Sequence, residues 1–427
     1  MLELNRIREN KEEVIKGLEI KCVTDANELV NSVLIKDDLR KETQTALDET
    51  LATANQQAKK IGQLMKEGKK EEAEEAKSLS KALREKSHKM KDLLKSIEEE
   101  VNALLYNIPN VPNSKVPAGN TEEDNEIVGT HDVEINLAED AKPHWDLIKD
   151  FDIVDFELGN KITGAGFPIY KKAGARLQRA LINFFLDRAE RAGYAEIQPP
   201  ILVNEASGYG TGQLPDKEGQ MYHVTEEDLY LVPTAEVPLT NMFRDEILKE
   251  SELPLKVTAY SPCFRREAGS WGAHVRGLNR LHQFDKVEIV QVQHPDKSYE
   301  ALEGMKQHIA DLLTSLNLPY RILNLCGGDL GFTSAITYDF EVYSAAQKQW
   351  LEVSSVSNFE TYQANRLKLR YKDENKKSHF LHTLNGSALA LPRILAAILE
   401  NNQAGEFIKI PEILVPYMNG IDKITKG

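Results

Sequence analysis

From Asp25 to Leu105 the chain runs without a proline, and Lys, Glu, Ala and Leu dominate it. Over that span apolar residues return every seven positions, a period suited to a long helix with one buried stripe. Ala76, Leu83, Met90, Ile97 and Leu104 form one series, with Leu79 and Leu93 expected at its companion positions. Upstream, Leu47, Ala54 and Ile61 form a second series, and Leu51, Ala58 and Met65 its companion. Between them lies Lys66-Glu67-Gly68-Lys69-Lys70-Glu71, where a glycine among charges breaks the helical pattern. The expectation is an antiparallel coiled-coil hairpin over residues 25–105, each arm about 40 residues and roughly 60 Å long at 1.5 Å per residue.

From Tyr106 to Asn125 the pattern breaks into Pro109, Pro112, Pro117 and Gly119 among several asparagines, which cannot continue a helix. A boundary is therefore expected here, with an N-terminal domain over 1–110 and a second over 111–427. In the second domain Gly174 to Ala192 reads as an amphipathic helix with Leu177, Leu181, Phe184, Phe185 and Ala189 on one face, closed by Gly193. Tyr194 to Pro200 reads as a short strand whose proline pair suits an edge or an interface. Leu229–Val232, Leu255–Tyr260 and Lys286–Val292 are β-rich, and a helix is expected from Ala388 to Asn401. No βαβ alternation, GxGxxG or Walker loop occurs, so the class is α+β with an antiparallel sheet, and a nucleotide site would be neither Rossmann nor P-loop.

The chain carries 53 Lys and Arg against 67 Asp and Glu, a formal net charge of -14. An acidic total argues against a nucleic-acid partner only when charge is evenly spread. Here it is not: residues 76–95 hold seven bases (Lys77, Lys81, Arg84, Lys86, Lys89, Lys91, Lys95) against Glu85 and Asp92. A solvated coiled-coil face and an arm lying along a phosphate backbone both fit that excess. Cys22, Cys263 and Cys326 are an odd number without a CxxC, so free buried thiols are expected rather than a disulfide framework or a structural zinc. No apolar run approaches the roughly 20 residues of a membrane helix, and the acidic start lacks a signal-peptide pattern, so a soluble, cytoplasmic protein is expected.

The densest chemistry lies in Ser261–Glu267 and Arg276–Glu288, read as two strands joined by a Gly-rich loop. Arg265, Arg266 and Arg280 supply planar, permanently charged forks suited to a triphosphate. Glu267, two residues beyond Arg265, is expected on the same strand face, where a carboxylate accepts from an adenine amino group. Phe284 offers a plane for stacking. Thr234-Ala235-Glu236 and Glu352-Val353-Ser354-Ser355 each follow a β-run with hydroxyls and a carboxylate, a pattern that also serves turns and caps. Leu384 to Arg393 is expected to run from a strand end through a Gly turn at Gly386 into an apolar helix, and Arg393, the only charge from Leu384 to Leu399, calls for an anionic partner.

Gly193–Pro200, Phe264-Arg265-x-Glu267 with the strand through Glu288, and the segment ending at Arg393 resemble motifs 1, 2 and 3 of class II aminoacyl-tRNA synthetases. Thr234-Ala235-Glu236, His282 to Glu288, Glu352 to Ser355 and Asn385-Gly386-Ser387 are similar to the bacterial type of the seryl-tRNA synthetase family, whose tRNA-binding arm the hairpin resembles. The resemblance covers essentially the whole chain. It implies a ligase that activates L-serine with ATP to seryl-adenylate and transfers the seryl group to tRNA(Ser), and to tRNA(Sec) in organisms that have it. It further implies a homodimer through motif 1. Carried onto this sequence, Arg265 bridges the serine carboxylate and the α-phosphate, while Arg280 and Arg393 hold the outer phosphates. Glu267 and Phe284 take the adenine, and Arg266 lies beside the ATP site. Glu352 and Ser355 ligate Mg2+ within the Glu352-Val353-Ser354-Ser355 segment. Thr234 and Glu236 meet the serine ammonium, with Glu288 and Ser387 near its hydroxyl and Ala235 and Asn385 also in the serine site, and Lys77, Lys81, Arg84, Lys89 and Lys91 meet tRNA.

Two departures stand out. The family pattern has an Arg-Asp-Thr triplet where this chain has Ala273-His274-Val275 beside Trp271, and a serine where it has Arg266. Two competing readings use the same residues. A ligase that charges a carrier protein would lack the long hairpin, and a non-catalytic tRNA-binding relative would have lost one of Arg265, Glu288, Glu352 or Arg393.

Overall fold

A computed structural model describes residues 1–267 and 276–426. They form two compact units, Met1–Glu19 with Val23–Pro109, and Ile20–Cys22 with the residues from Asn110 onward. The segment around Trp271, Ala273, His274 and Val275 lies outside the described residues.

In the first unit the hairpin is α1 (Ala26–Lys66, 41 residues) and α2 (Lys70–Leu105, 36 residues). Gly68 between them has φ +78°, which glycine adopts without a Cβ penalty. Leu47, Ala54, Ala76 and Ile97 are buried as the seven-residue period requires. The companion positions differ from expectation: Leu79 and Leu93 are 48% and 52% exposed, and Ala58 and Met65 also face solvent. Their places are taken by Ala73, Ser80, Ser87 and Val101 of α2 and by Thr50 and Leu64 of α1. Two of the buried hydroxyls are satisfied within their own helices, Thr50 Oγ1 donating to Ala46 O and Ser87 Oγ to Arg84 O, both at 2.8 Å. Satisfied in this way, small hydroxyl residues can line a seam that a hydropathy pattern assigns to leucine. Ile97→Ala is accordingly expected to cost about 2–5 kcal/mol and Leu93→Ala no more than about 0.5 kcal/mol, read by denaturant unfolding of the full chain followed by far-UV circular dichroism.

On α2, steps of four and three residues set Lys77, Lys81, Arg84 and Lys91 along one exposed stripe, and Lys89 on another side of the helix. Lys77 is ion-paired with Glu74.

An eight-stranded sheet organises the second unit. Its strands are β1 (Glu126–His131), β2 (Ala195–Glu196), β3 (Leu255–Phe264), β4 (Gln283–Gln293), β5 (Tyr320–Asn324), β6 (Ile336–Ser344), β7 (Gln349–Asn358) and β8 (His382–Ala390). In space they run β1-β5-β6-β7-β8-β4-β3-β2. Every pair is antiparallel except β2 with β3 at the edge, where a two-residue strand precedes Pro199 and Pro200. Prolines have no N–H with which to extend the ladder.

Helices that serve the site or the core are α3 (His144–Asp150), α4 (Lys172–Arg191), α5 (Glu236–Asn241), α6 (Ser298–Ser315), α7 (Thr361–Leu367) and α8 (Leu391–Asn401). Leu177 and Leu181 of α4, Met305 and Ile309 of α6, and Leu395 and Ile398 of α8 share one core with Val287 and Ile289 of β4, Phe340 and Val342 of β6, and Leu384 and Ala388 of β8. Strand alternation then turns Lys286, Glu288, Asp339, Glu341, Asn385 and Ser387 away from that core. The sheet thus carries one apolar face, and an opposite face where these charged and polar side chains lie beside a smaller apolar cluster of Val257, Ala259 and Val290.

The segment from Leu384 to Arg393 differs from its expected form. Gly386 makes no turn; it lies inside β8, opposite Ile289 and Val356, and the helix begins only at Leu391. A Cβ at Gly386 would stand 3.3 Å from Val356 Cγ2 and 3.4 Å from Met305 Cε, so glycine serves the close approach of α6 to the sheet. Cys263 and Cys326 are buried, whereas Cys22 is exposed, against the expectation of three buried thiols. Among the described residues no helix is long and apolar enough to cross a membrane.

Candidate active site

The polar face of the sheet gathers two adjoining clusters. The first centres on Glu288 in β4, which is buried. Its Oε2 lies 2.7 Å from Lys286 Nζ and accepts from Thr234 Oγ1 at 3.1 Å, while its Oε1 has no hydrogen-bond partner among the described residues. A buried acceptor left open is costly, and it is also the group a ligand hydroxyl would satisfy. Ser387 stands opposite Glu288 in register on β8, with Asn385 two residues along on the same side. Ala235 is wholly buried against Leu239, Val257, Ala259 and Val290, which seats the neighbouring Thr234 and Glu236.

Glu236 opens α5, where its backbone N–H donates to Thr234 Oγ1 at 3.2 Å. Its Oε1 accepts from Gln363 Nε2 at 2.7 Å, and the same amide donates to Thr211 O and accepts from Thr383 Oγ1. Burial, and then the nearby Glu288 carboxylate, pushes the Glu236 carboxyl up to about 7. Lys286 and Arg265 act in the opposite sense.

The second cluster begins where β3 ends. Arg265 donates its backbone N–H to His282 O at 2.9 Å, and its guanidinium carbon lies 5.4 Å from the centroid of the Phe284 ring. A planar fork over an aromatic face is a favourable and orienting contact. Arg266 donates its backbone N–H to Gln220 O, and burial raises the Tyr222 hydroxyl while the Arg266 charge acts in the opposite sense. Glu267 departs from expectation: β3 stops at Phe264, Glu267 has φ +49°, and its carboxylate pairs with Arg280 at 3.1 Å. It does not share a strand face with Arg265. Arg393, near the start of α8, donates Nε to Asn279 O (3.0 Å) and Nη1 to Glu352 O (2.6 Å), and Glu352 Oε2 lies 3.6 Å away. Its charge is therefore met mainly by carbonyl oxygens and a half-exposed carboxylate.

Glu352 and Ser355 are three residues apart on β7, a spacing that in a regular strand turns them to opposite faces. The pairing of β6 with β7 slips at Val353, with Phe340 opposite Ser354 and Glu341 opposite Glu352. That bulge turns both residues to the side of Asp339 and Glu341. Ser355 Oγ lies 3.4 Å from Glu352 Oε1, and Asp339 stands opposite Ser355. Burial, and then Glu352, holds the Asp339 carboxyl well above the usual carboxylate range, and its Oδ1 is buried without a hydrogen-bond partner among the described residues. Ser354 Oγ donates to Ser387 O at 2.6 Å and so joins the two clusters.

Among the described residues no three His, Cys, Asp or Glu side chains are placed to hold a metal ion unaided. The oxygens of Glu352 and Ser355, with the unsatisfied Asp339 Oδ1 nearby, nonetheless suit a hard ion such as Mg2+, which completes its shell with water and substrate phosphates.

Lys286, Asp339 and Gln363 belong to this site and escape a reading of the sequence. Lys286 lies two residues from Glu288, on the same side of β4 by the period of a strand, and that spacing was the available signal. Asp339 and Gln363 enter through strand register and a separate helix, which no local pattern announces.

A family model of the seryl-tRNA synthetase N-terminal domain matches residues 1–112, and one of the tRNA synthetase class II core domain (G, H, P, S and T) matches residues 221–402. The serine–tRNA ligase of Salinibacter ruber is 48% identical over 98% of this chain and 98% of its own length. That of Alkaliphilus oremlandii is 46% identical over 100% of both. Among solved structures, seryl-tRNA synthetase from Pyrococcus horikoshii complexed with ATP matches with a TM-score of 0.92 and 32% identity, covering 100% of each chain.

Proposed function

Because this chain belongs to the seryl-tRNA synthetase family, the serine–tRNA ligases among class II aminoacyl-tRNA synthetases, we propose residue roles for the two steps of that reaction. In the first step a serine carboxylate oxygen attacks the α-phosphorus of ATP, the bond to the β-phosphate oxygen breaks, and seryl-adenylate and pyrophosphate result. Arg265 neutralises charge growing on the α-phosphate and orients the attacking carboxylate, while Arg280 and Arg393 hold the outer phosphates. Phe284 carries the adenine, with Glu267 and Arg266 at its margin. Glu352 and Ser355, within Glu352-Val353-Ser354-Ser355, would hold Mg2+, which would supply positive charge beside the phosphates. In the second step the terminal adenosine hydroxyl of tRNA attacks the seryl carbonyl and AMP leaves. No protein nucleophile is required, since positioning and electrostatics supply the rate.

Serine is held by Thr234 and Glu236 at its ammonium, against the wall formed by Ala235. Its hydroxyl donates to Glu288, close to Ser387 and Asn385. The observation that best supports this reading is the buried Glu288 Oε1 with no partner among the described residues, beside a lysine and a threonine that fix the other oxygen. The hairpin is the tRNA arm: Lys77, Lys81, Arg84 and Lys91 meet phosphates along one stripe and Lys89 from the side, a contact that salt weakens. We place the enzyme in the cytoplasm as a homodimer acting on tRNA(Ser), and on tRNA(Sec) where one exists.

Exchange of labelled pyrophosphate into ATP tests the first step. Serine is expected to support it, threonine and alanine to do so at least about 10²-fold more weakly. The pH dependence follows from Glu236. A carboxyl raised to about 7 is protonated below that value and ionised above it, and the serine ammonium needs the ionised form. The KM for serine is therefore expected to fall about tenfold between about pH 6 and about pH 8, and Glu236→Gln to raise it and flatten the profile. Exchange without serine dependence would refute the pocket assignment.

A further inference from the structure

Behind the phosphate side of the site lies a polar network that none of the roles above uses. His144 at the start of α3 and Glu400 near the end of α8 have side chains that are both 0% exposed. Glu400 Oε1 accepts from the His144 backbone N–H at 2.8 Å, lies 2.7 Å from His144 Nδ1, and accepts from Gln347 Nε2 at 2.8 Å. Its Oε2 accepts from the Ser344 hydroxyl. On the far side of the ring, His144 Nε2 accepts the backbone N–H of Leu278 at 2.8 Å. A backbone N–H can only donate, so Nε2 carries no proton, and the ring proton sits on Nδ1 facing the carboxylate. The imidazole is thus a relay from a carboxylate on α8 to the main chain at Leu278.

Neighbouring contacts hold the same short segment. Gly277 has φ +67°, and a Cβ there would meet His144 Nε2 at 2.3 Å, so the main chain rests directly on the ring. The guanidinium carbon of Arg276 lies 4.9 Å from the ring centroid of Trp145, the residue after His144. Asn279 donates Nδ2 to Gln347 Oε1 at 3.0 Å, and its carbonyl receives Arg393 Nε at 3.0 Å. Residues 276–279 are therefore gripped at successive points, and the last grip holds Arg393 as well. Arg280 comes next in the chain.

We infer that His144, Glu400 and Gln347 are positioning residues for ATP, fixing the main chain at Gly277–Asn279 so that Arg280 and Arg393 stand ready for the triphosphate. The inference rests on the phosphate roles proposed for those two arginines. Simple packing would be served as well by apolar side chains, since a buried ionic network adds little to stability over a hydrophobic equivalent. What apolar side chains cannot do is accept the Leu278 N–H and orient the Asn279 amide.

The test uses the full-length enzyme and pyrophosphate exchange, with KM measured separately for ATP and for serine. His144→Phe keeps a ring of similar volume and removes the ring's polar contacts to Glu400, Gln347 and Leu278. It is expected to raise the ATP KM by about 10- to 100-fold and to leave the serine KM within about twofold. His144→Gln, whose amide can accept from Leu278 and donate to Glu400, is expected to restore most of the loss. Gln347→Met, at a half-buried position, is expected to move the ATP KM in the same direction by a smaller factor, and it carries the test alone if His144→Phe does not fold. Equal rises in both KM values, or an unchanged ATP KM in the folded variants, would overturn the inference. An unchanged ATP KM in parallel Arg280→Ala and Arg393→Ala variants would overturn the phosphate roles themselves, and the inference with them.

Discussion

Arg265→Ala is expected to lower serine-dependent pyrophosphate exchange by about 10³-fold or more while leaving the chain folded. The magnitude follows from what the guanidinium is placed to do. Negative charge accumulates on the α-phosphate as the carboxylate oxygen arrives, and the fork of Arg265 is fixed before that moment by the His282 carbonyl behind its backbone and by the Phe284 ring 5.4 Å away. Donors that need no reorganisation stabilise the transition state more than the ground state, so kcat falls further than affinity. Arg265→Lys is expected to recover little, because an ammonium is a point charge without the planar fork and stacks poorly on Phe284. Stability is expected to change by no more than about 1 kcal/mol, since the side chain is not part of the packed core. Initial exchange rates with saturating serine, beside thermal unfolding of the same samples, decide the matter; exchange within tenfold of the parent would remove Arg265 from the chemistry.

How much of this arrangement the sequence discloses depends on whether a residue's partners are near it in the chain. The hairpin is legible because a seven-residue period is a local property, yet its companion seam lies one position round the helix from the leucines that hydropathy selects. Ser80, Ser87 and Thr50 take that seam. The arginine-bearing strands are legible because fork chemistry and alternation are local as well. Glu267 is where alternation fails, since the strand ends at Phe264 and a left-handed residue turns its carboxylate to Arg280. Asp339 meets Ser355 only through the pairing of β6 with β7, and Glu352 shares that side only because the ladder slips at Val353. Gln363 reaches Glu236 from a helix that lies far along the chain. Register, bulges and crossings between elements are products of the packed fold, and no periodicity encodes them.

Glu288 carries the second large effect, and its partner Lys286 explains why the replacement matters as much as the loss. Glu288→Leu removes the acceptor for the serine hydroxyl and leaves the Lys286 ammonium, 7% exposed, without its counter-charge. Breaking a buried pair from one side costs about 3–5 kcal/mol, so this variant is expected to lose stability together with activity. Glu288→Gln separates the two. Its amide oxygen still accepts from Lys286, the fold is expected to survive with a loss of about 1–2 kcal/mol, and only the charged acceptor disappears. In pyrophosphate exchange, kcat/KM for serine is then expected to fall by about 10²- to 10³-fold. The preference for serine over alanine is expected to drop from on the order of 10⁴ to about tenfold, because alanine no longer leaves a buried carboxylate unsatisfied. Lys286→Met combined with Glu288→Leu should be more stable than Glu288→Leu alone, since the pair leaves together and neither charge is stranded. If instead the double variant proves the less stable, Lys286 is satisfied by contacts other than the Glu288 carboxylate, and the stranded charge is not the source of the loss. If Glu288→Gln keeps its discrimination against alanine, the serine hydroxyl is recognised elsewhere, and Ser387, opposite Glu288 in the ladder, becomes the next residue to change.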